Sequence, residues 1–96
     1  MTDGKQSKDI EQHNLIRITT VTTDCMIDRD YDDKRFELAN AFVFGVIFAT
    51  DTKKEMSDEF CKLLGKASID AFECYERSFI KAREFVESIE QMKDKE

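Results

Sequence analysis

The feature that most constrains the fold is a nearly continuous apolar run in the middle of the chain, residues 36–50. Between Leu38 and Ala49 the one polar residue is Asn40, and four phenylalanines lie in the run. Charged residues make up 38% of the 96-residue chain, so this run is far more apolar than its surroundings. Because apolar surface is driven out of water, the fold must be one that covers this run.

Length and charge exclude several classes of protein. A chain of 96 residues forms one domain, near the lower size at which a single core is stable. The formal net charge of −6 argues against binding to nucleic acid or to an anionic membrane, because phosphate contact needs clustered lysine and arginine. It is compatible with a protein partner that has a basic surface.

The apolar run and the cysteines indicate the compartment. The run is shorter than the roughly 20 residues that span a bilayer, so we predict no membrane segment. The first residues do not have the pattern of a secretory signal. The three cysteines, Cys25, Cys61 and Cys74, are an odd number without the spacing of a disulfide framework. We therefore expect a cytoplasmic protein with free thiols.

Two segments have the residue types of β-strands. Residues 15–27 are rich in isoleucine, valine and threonine, which fit a pleated surface. Residues 36–50 place most of their large side chains on one face if read as a strand, with small ones on the other. A strand at 15–27 needs a partner, and 36–50 is the candidate. The sequence therefore favours an antiparallel β-hairpin, with a helical reading of 36–50 left open.

The remainder of the chain reads as a long helix over residues 53–92. Thr52 and Glu55 have the spacing of a capping box. Beyond them, apolar residues recur at spacings of three and four up to Ile89. We expect residues 1–14 to form a mobile polar tail, residues 15–92 one globular domain, and residues 93–96 a frayed end.

The predicted fold class is α+β, a β-hairpin of residues 15–27 and 36–50 packed on the helix at 53–92. One helix covers one face of a hairpin, so we expect a homodimer or a higher homo-oligomer to cover the other. The oligomer interface is predicted on the helix, at Phe72, Tyr75, Phe79, Val86 and Ile89. The alternative fold is a mainly α-helical hairpin with an extended N-terminal arm.

An acidic loop lies between the two predicted strands. Asp28, Asp30 and Asp32 open like a calcium loop, but Asp33 stands where that loop needs glycine and Ala39 where it needs glutamate. They are therefore weak candidates for a divalent cation. The preferred interpretation is a solvated surface that contacts a basic partner, formed by Asp28, Asp30, Tyr31, Asp32 and Asp33.

No pattern of catalytic residues is present in the sequence. The single histidine, His13, has no metal-ligating neighbours, and no cysteine has a histidine near it in sequence to act as its base. We expect a non-enzymatic protein without a cofactor: a small acidic inhibitor, immunity protein or accessory factor, from a phage or mobile element, that binds a larger partner.

The alternative function is an oligomeric protein that binds or sequesters a small molecule between subunits. The helical outline is similar in pattern to small phage proteins that sequester cyclic nucleotides. An anionic ligand would require four arginines, Arg17, Arg29, Arg35 and Arg77, to cluster.

Overall fold

The computed structural model describes residues 3–94 and contains three helices in this range. They are α1, Asp3–Asp28, α2, Asp33–Phe48, and α3, Asp58–Asp94. No β-strand occurs in the described residues. The predicted α+β class is therefore wrong: the protein is a helical hairpin-like bundle. The alternative of a helical hairpin agrees in being helical, although α1 replaces its extended arm.

The direction of each helix follows from contacts at the two ends of the bundle. Arg17 of α1 pairs with Asp58 at the start of α3, and Arg29 at the end of α1 pairs with Glu73 further along α3. The residue numbers of the two partners rise together along the two helices, so α1 and α3 run parallel.

α2 packs on α3 and runs antiparallel to it, since Arg35 pairs with Glu76 and the later Phe42 contacts the earlier Phe72. Residues 49–57 then cross over to the start of α3.

Residues 15–27, predicted as a strand, lie inside α1. The buried positions recur every fourth residue, Asn14, Ile18, Thr22 and Met26, which is the period of a helix face. Because Asn14 and Thr22 are polar, the sequence does not show an apolar stripe at these positions. The threonines are accommodated because their hydroxyls donate to carbonyls of their own helix, as Thr20 Oγ1 does to Ile16 O at 2.7 Å.

Residues 36–50, the second predicted strand, form most of α2 and its C-terminal cap. The buried residues are the smaller ones, Ala39, Val43 and Ile47, again at a spacing of four. Phe48 is 92% exposed instead. Because apolar residues lie on every side of this helix, the residue pattern alone did not separate a helix from a strand.

The turn between α1 and α2 is closed by a Schellman motif without glycine. Tyr31 N donates to Met26 O and Asp30 N to Ile27 O, each at 3.1 Å. Asp30 has a φ of 56°, a left-handed conformation that aspartate tolerates better than most residues. Asp32 then caps α2 by accepting from Arg35 N at 2.7 Å. The predicted acidic loop is thus a tight turn.

Helix α3 begins later than predicted, so the capping box at Thr52 and Glu55 is wrong. Phe60 N donates to the Ser57 hydroxyl, which caps the helix instead. Thr52 is buried in the crossover, where its carbonyl accepts from Asn14 Nδ2 at 2.8 Å. This bond ties the crossover to α1.

The predicted tail and frayed end correspond to the helix termini. Residues 3–14 belong to α1 and residues 93–94 to α3. The remaining residues of those two predicted segments, 1–2 and 95–96, lie outside the described residues.

The bundle is shorter than its longest helix. α3 has 37 residues, or about 55 Å at 1.5 Å per residue. Its side chains are buried against α1 and α2 only as far as Phe72, with Glu76 half-buried at the top of the bundle. Residues 77–94, here called the projecting segment, extend beyond. The molecule accordingly measures 71 × 28 × 20 Å.

A close approach of α1 and α3 occurs at Gly65. A Cβ placed there would lie 2.7 Å from Val21 Cγ1 and 2.9 Å from Val21 Cβ, and the branched valine has little freedom to move away. Gly45 of α2 has open space around its Cα. Alanine substitutions at the two helical glycines can therefore be compared directly, since only the one at Gly65 meets a close neighbour.

We predict that Gly65→Ala lowers the free energy of unfolding by roughly 1–3 kcal/mol, because overpacking exceeds the gain in helix propensity. Gly45→Ala is expected to raise it by about 0.5–1 kcal/mol, since alanine is the better helix former. Urea unfolding of both variants checks this. A stabilised Gly65→Ala variant would contradict the close contact.

Candidate interaction surfaces

The first candidate surface is the apolar face of the projecting segment. It consists of large apolar side chains that are each 40–68% exposed. They are Phe79, Phe85, Val86, Ile89 and Met92. No residue in the range 80–93 is buried or half-buried, so this face has no cover from the described part of the chain. Contiguous apolar surface of this kind marks an interaction site.

The spacing of these residues is that of a helix that packs on another helix. Phe79, Ala82, Val86 and Ile89 recur at intervals of three, four and three, the pattern of a coiled-coil seam. Charged residues occupy other positions, with Arg83 and Glu87 4.0 Å apart on the surface. The projecting segment is therefore amphipathic although it is exposed on all sides.

The apolar face continues into a groove between α2 and α3, here called the α2–α3 groove. It has a volume of about 580 Å³ and is lined mainly by apolar and aromatic side chains, with one acid and one base. The lining includes Leu38, Phe42, Tyr75, Glu76, Phe79 and Arg83. Phe42 and Tyr75 form its floor, with ring centroids 5.8 Å apart. The groove is open enough to accept a helix face.

The second candidate surface is the acidic end of the bundle, which we define as residues 24–37 and 70–76. These two segments contain nine aspartates and glutamates and three lysines and arginines. Their formal charge of −6 equals that of the whole chain, so the remaining residues are neutral in sum. The chain thus concentrates its net charge where the α1–α2 turn meets α3.

A network of ion pairs holds the acidic end together. Arg29 donates to Glu73 at 2.7 Å and to Asp70 at 3.0 Å. Arg35 donates through two nitrogens to Glu76, at 2.6 and 3.0 Å, and such bidentate pairs are the stronger kind. The hydrogen bonds to Asp70 and Glu76 raise the pKa values of Arg29 and Arg35, respectively.

Tyr31 lies at the centre of this network and points inward. Its hydroxyl donates to Glu73 at 2.8 Å, and the Arg35 guanidinium lies 4.1 Å from its ring centroid. Burial and the bond to Glu73 raise the pKa of Tyr31 to about 12. Tyr31 therefore fastens the turn to α3.

The five predicted partner-contact residues fall into two groups. Asp28, Asp30 and Asp33 are exposed, and none of them pairs with a lysine or arginine among the described residues. Asp32 is exposed but serves as the α2 cap, and Tyr31 is half-buried beneath the surface. Three aspartates are thus available to a partner, whereas the other two residues support the turn.

The three weak metal candidates, Asp28, Asp30 and Asp32, do not form a cluster suited to a metal ion. Among the side chains that the structure describes, those of residues 8–93, no group of three or more histidine, cysteine or carboxylate side chains has that arrangement.

The predicted oligomer residues are also divided. Phe72 is buried in the core, where its ring lies 5.9 Å from that of Phe42. Tyr75, Phe79, Val86 and Ile89 are exposed on α3. Sequence reasoning missed Phe85 and Met92, which widen the same face. The signal that could have found them is an apolar stripe wider than the two positions per heptad that define a coiled-coil seam.

The four arginines considered for an anionic ligand do not cluster. Arg17 pairs with Asp58 at one end of the bundle, and this hydrogen bond lowers the pKa of Asp58. Arg29 and Arg35 pair with carboxylates at the other end. Arg77 is exposed and donates to Cys74 Sγ. Three of the four are thus neutralised within the chain.

Comparison with known proteins yields no relative. No protein-family model, no curated protein and no solved structure matches this chain. In the described range, none of the three helices has the length and apolarity needed to cross a membrane.

The raised pKa of Tyr31 predicts a pH dependence of stability. In the unfolded chain tyrosine ionises near pH 10 and in the folded protein at about pH 12. The contribution of the neutral hydroxyl is complete below pH 10 and is lost as pH rises from 10 to 12. Urea unfolding should show a steeper loss over this range for the native chain than for Tyr31→Phe. Parallel losses would contradict the buried hydroxyl.

Proposed function

We propose that this chain is a non-enzymatic interaction protein that binds a larger protein with a basic face. It would act as an inhibitor, immunity protein or accessory factor of a phage or mobile element. The observation that carries the proposal is the acidic end, where the entire formal charge of −6 is concentrated. A surface of one sign attracts a partner of the opposite sign and accelerates their encounter.

The geometry of the acidic end supports specific recognition. Carboxylates of α3 hold Arg29 and Arg35 in place. Asp28, Asp30 and Asp33 lie in or beside the tight turn, which fixes their positions. A rigid turn loses little conformational entropy on binding, so more of the interaction energy appears as affinity.

The free thiols support a reducing compartment for this function. Cys61 is buried, Cys25 is half-buried and Cys74 is exposed, and none is in a disulfide. Unpaired cysteines fit the cytoplasm, where thiols remain reduced. We therefore place the proposed function in the cytoplasm.

A second candidate is the binding of a small molecule between subunits. The helical outline and the largely apolar α2–α3 groove favour it. Since Arg17, Arg29 and Arg35 are paired within the chain, the ligand would be uncharged rather than anionic. Native mass spectrometry of protein purified from its own cells separates the candidates. A bound small molecule adds a few hundred daltons, whereas a protein partner adds the mass of a chain.

The test of the acidic end is a triple variant, Asp28→Asn, Asp30→Asn and Asp33→Asn. Asp32 is retained because it caps α2. With the partner isolated by affinity capture, we expect the triple variant to bind it at least about 10-fold more weakly. The physical reason is the loss of three carboxylates facing a basic surface. Isothermal titration calorimetry at low and high salt measures this, and added salt should weaken the native complex.

A matched control removes three charges from the other end of the bundle. Asp9→Asn, Glu55→Gln and Glu59→Gln are exposed substitutions that change the net charge equally. This control should bind within about 2-fold of the native chain, as expected for distant surface changes. Equal affinity of the native chain and the Asp28, Asp30 and Asp33 variant would refute a role for the acidic end.

A further inference from the structure

We propose that a second copy of this chain covers the projecting segment, in an antiparallel dimer. Each projecting segment lies along the other and enters the α2–α3 groove of the other copy. The groove adjoins the acidic end and shares Tyr75 and Glu76 with it, but the inference rests on the apolar side chains and does not depend on the proposed function.

The apolar area matches what a stable dimer needs. The five large side chains of the apolar face are 40–68% exposed, and Leu38 and Tyr75 beside the groove are 54% and 57% exposed. With side chains of this size, the exposed apolar area is on the order of 800 Å² per copy, which is the area that one partner contributes to a standard interface.

The two parts of the surface are complementary to each other. The chain carries both an amphipathic helix without cover and an apolar groove beside it. A twofold interface requires that each copy present both halves of every contact. With the axis between Ile80 and Lys81, Phe79 of each copy faces Ala82 of the other, a large residue against a small one. Val86 and Ile89 of each copy then lie over the groove of the other.

Charge favours the antiparallel arrangement. In this register Glu76 of each copy lies next to Arg83 of the other, so the polar residues of the groove form two ion pairs across the interface. A parallel pair would instead bring the two acidic ends side by side, each with a formal charge of −6, and like charges would repel. The antiparallel pair separates them along the shared axis.

The first experiment measures the mass of the protein in solution, by analytical ultracentrifugation, for the native chain and two variants. Ile89→Glu places a charge in the apolar face, whereas Ser88→Glu adds the same charge at an adjacent exposed position. We expect a native dimer, a dissociation constant raised roughly 100-fold by Ile89→Glu, and a change below about 3-fold for Ser88→Glu. Circular dichroism should show that both variants keep their helices.

The second experiment measures the register by electron–electron distance between spin labels. A single label at Gln91→Cys is used, with Cys25→Ser and Cys74→Ser to remove reactive native thiols. Gln91 lies on the side of α3 away from the apolar face, so a parallel pair separates the two labels by the width of two helices, on the order of 20 Å. The antiparallel dimer adds about 30 Å along the axis and brings the separation to roughly 40 Å. A monomeric native chain, a dimer unaffected by Ile89→Glu, an oligomer larger than two, or the short distance would each overturn the proposal.

Discussion

The parallel pairing of α1 with α3 is the constraint on which the rest of the structure depends. Two parallel helices cannot be joined by a short loop, so the chain between them must return along the bundle. α2 and the crossover at residues 49–57 provide that return. Contacts fix the pair along its length: Arg17 with Asp58 near the start, Gly65 against Val21 in the middle and Arg29 with Glu73 at the end. α2 then covers the remaining side of the pair with the small residues of its buried face.

Packing within the chain sets the length of the bundle, but it does not account for the full length of α3. α1 and α2 bury the first part of α3 up to Phe72, and the helix then continues without cover. An isolated helical segment is only marginally stable in water, and most helices gain their stability from packing of an apolar face. Phe72 and Phe79, one heptad apart, mark the change from a core residue to a surface residue on a single uninterrupted stripe.

Sequence reasoning found α3 because its apolar spacing is clear from Phe60 to Ile89. It failed for α1, where Asn14 and Thr22 occupy core positions that the pattern reserves for apolar residues. A buried asparagine is understandable only when its partners are known, here carbonyls of the crossover 38 and 40 residues away. It failed for α2 because apolar residues surround that helix, and tertiary contact rather than propensity selected the helical form.

The surfaces were predictable to different degrees. The excess of aspartate around Tyr31 is visible in the sequence, and so is the stripe on α3. The inward direction of Tyr31 was not, since Glu73, its hydrogen-bond partner, is 42 residues away. The end of the bundle near Glu76, which decides what part of the stripe is exposed, depends on the lengths of α1 and α2. Errors in those two helices therefore hid the projecting segment.

Several polar contacts join α1, the α1–α2 turn and α2 to α3. In each of them the two partners are separated by nearly the same number of residues along the chain. Arg17 with Asp58, Arg29 with Asp70, and Arg35 with Glu76 are each 41 residues apart. Most helical bundles of this size fold rapidly because neighbouring helices supply local contacts. Here the principal ion pairs form only after a loop of about 40 residues has closed, which carries an entropic cost. We therefore expect the meeting of its first and last helices to limit the speed of folding, as in proteins whose sheets join distant strands.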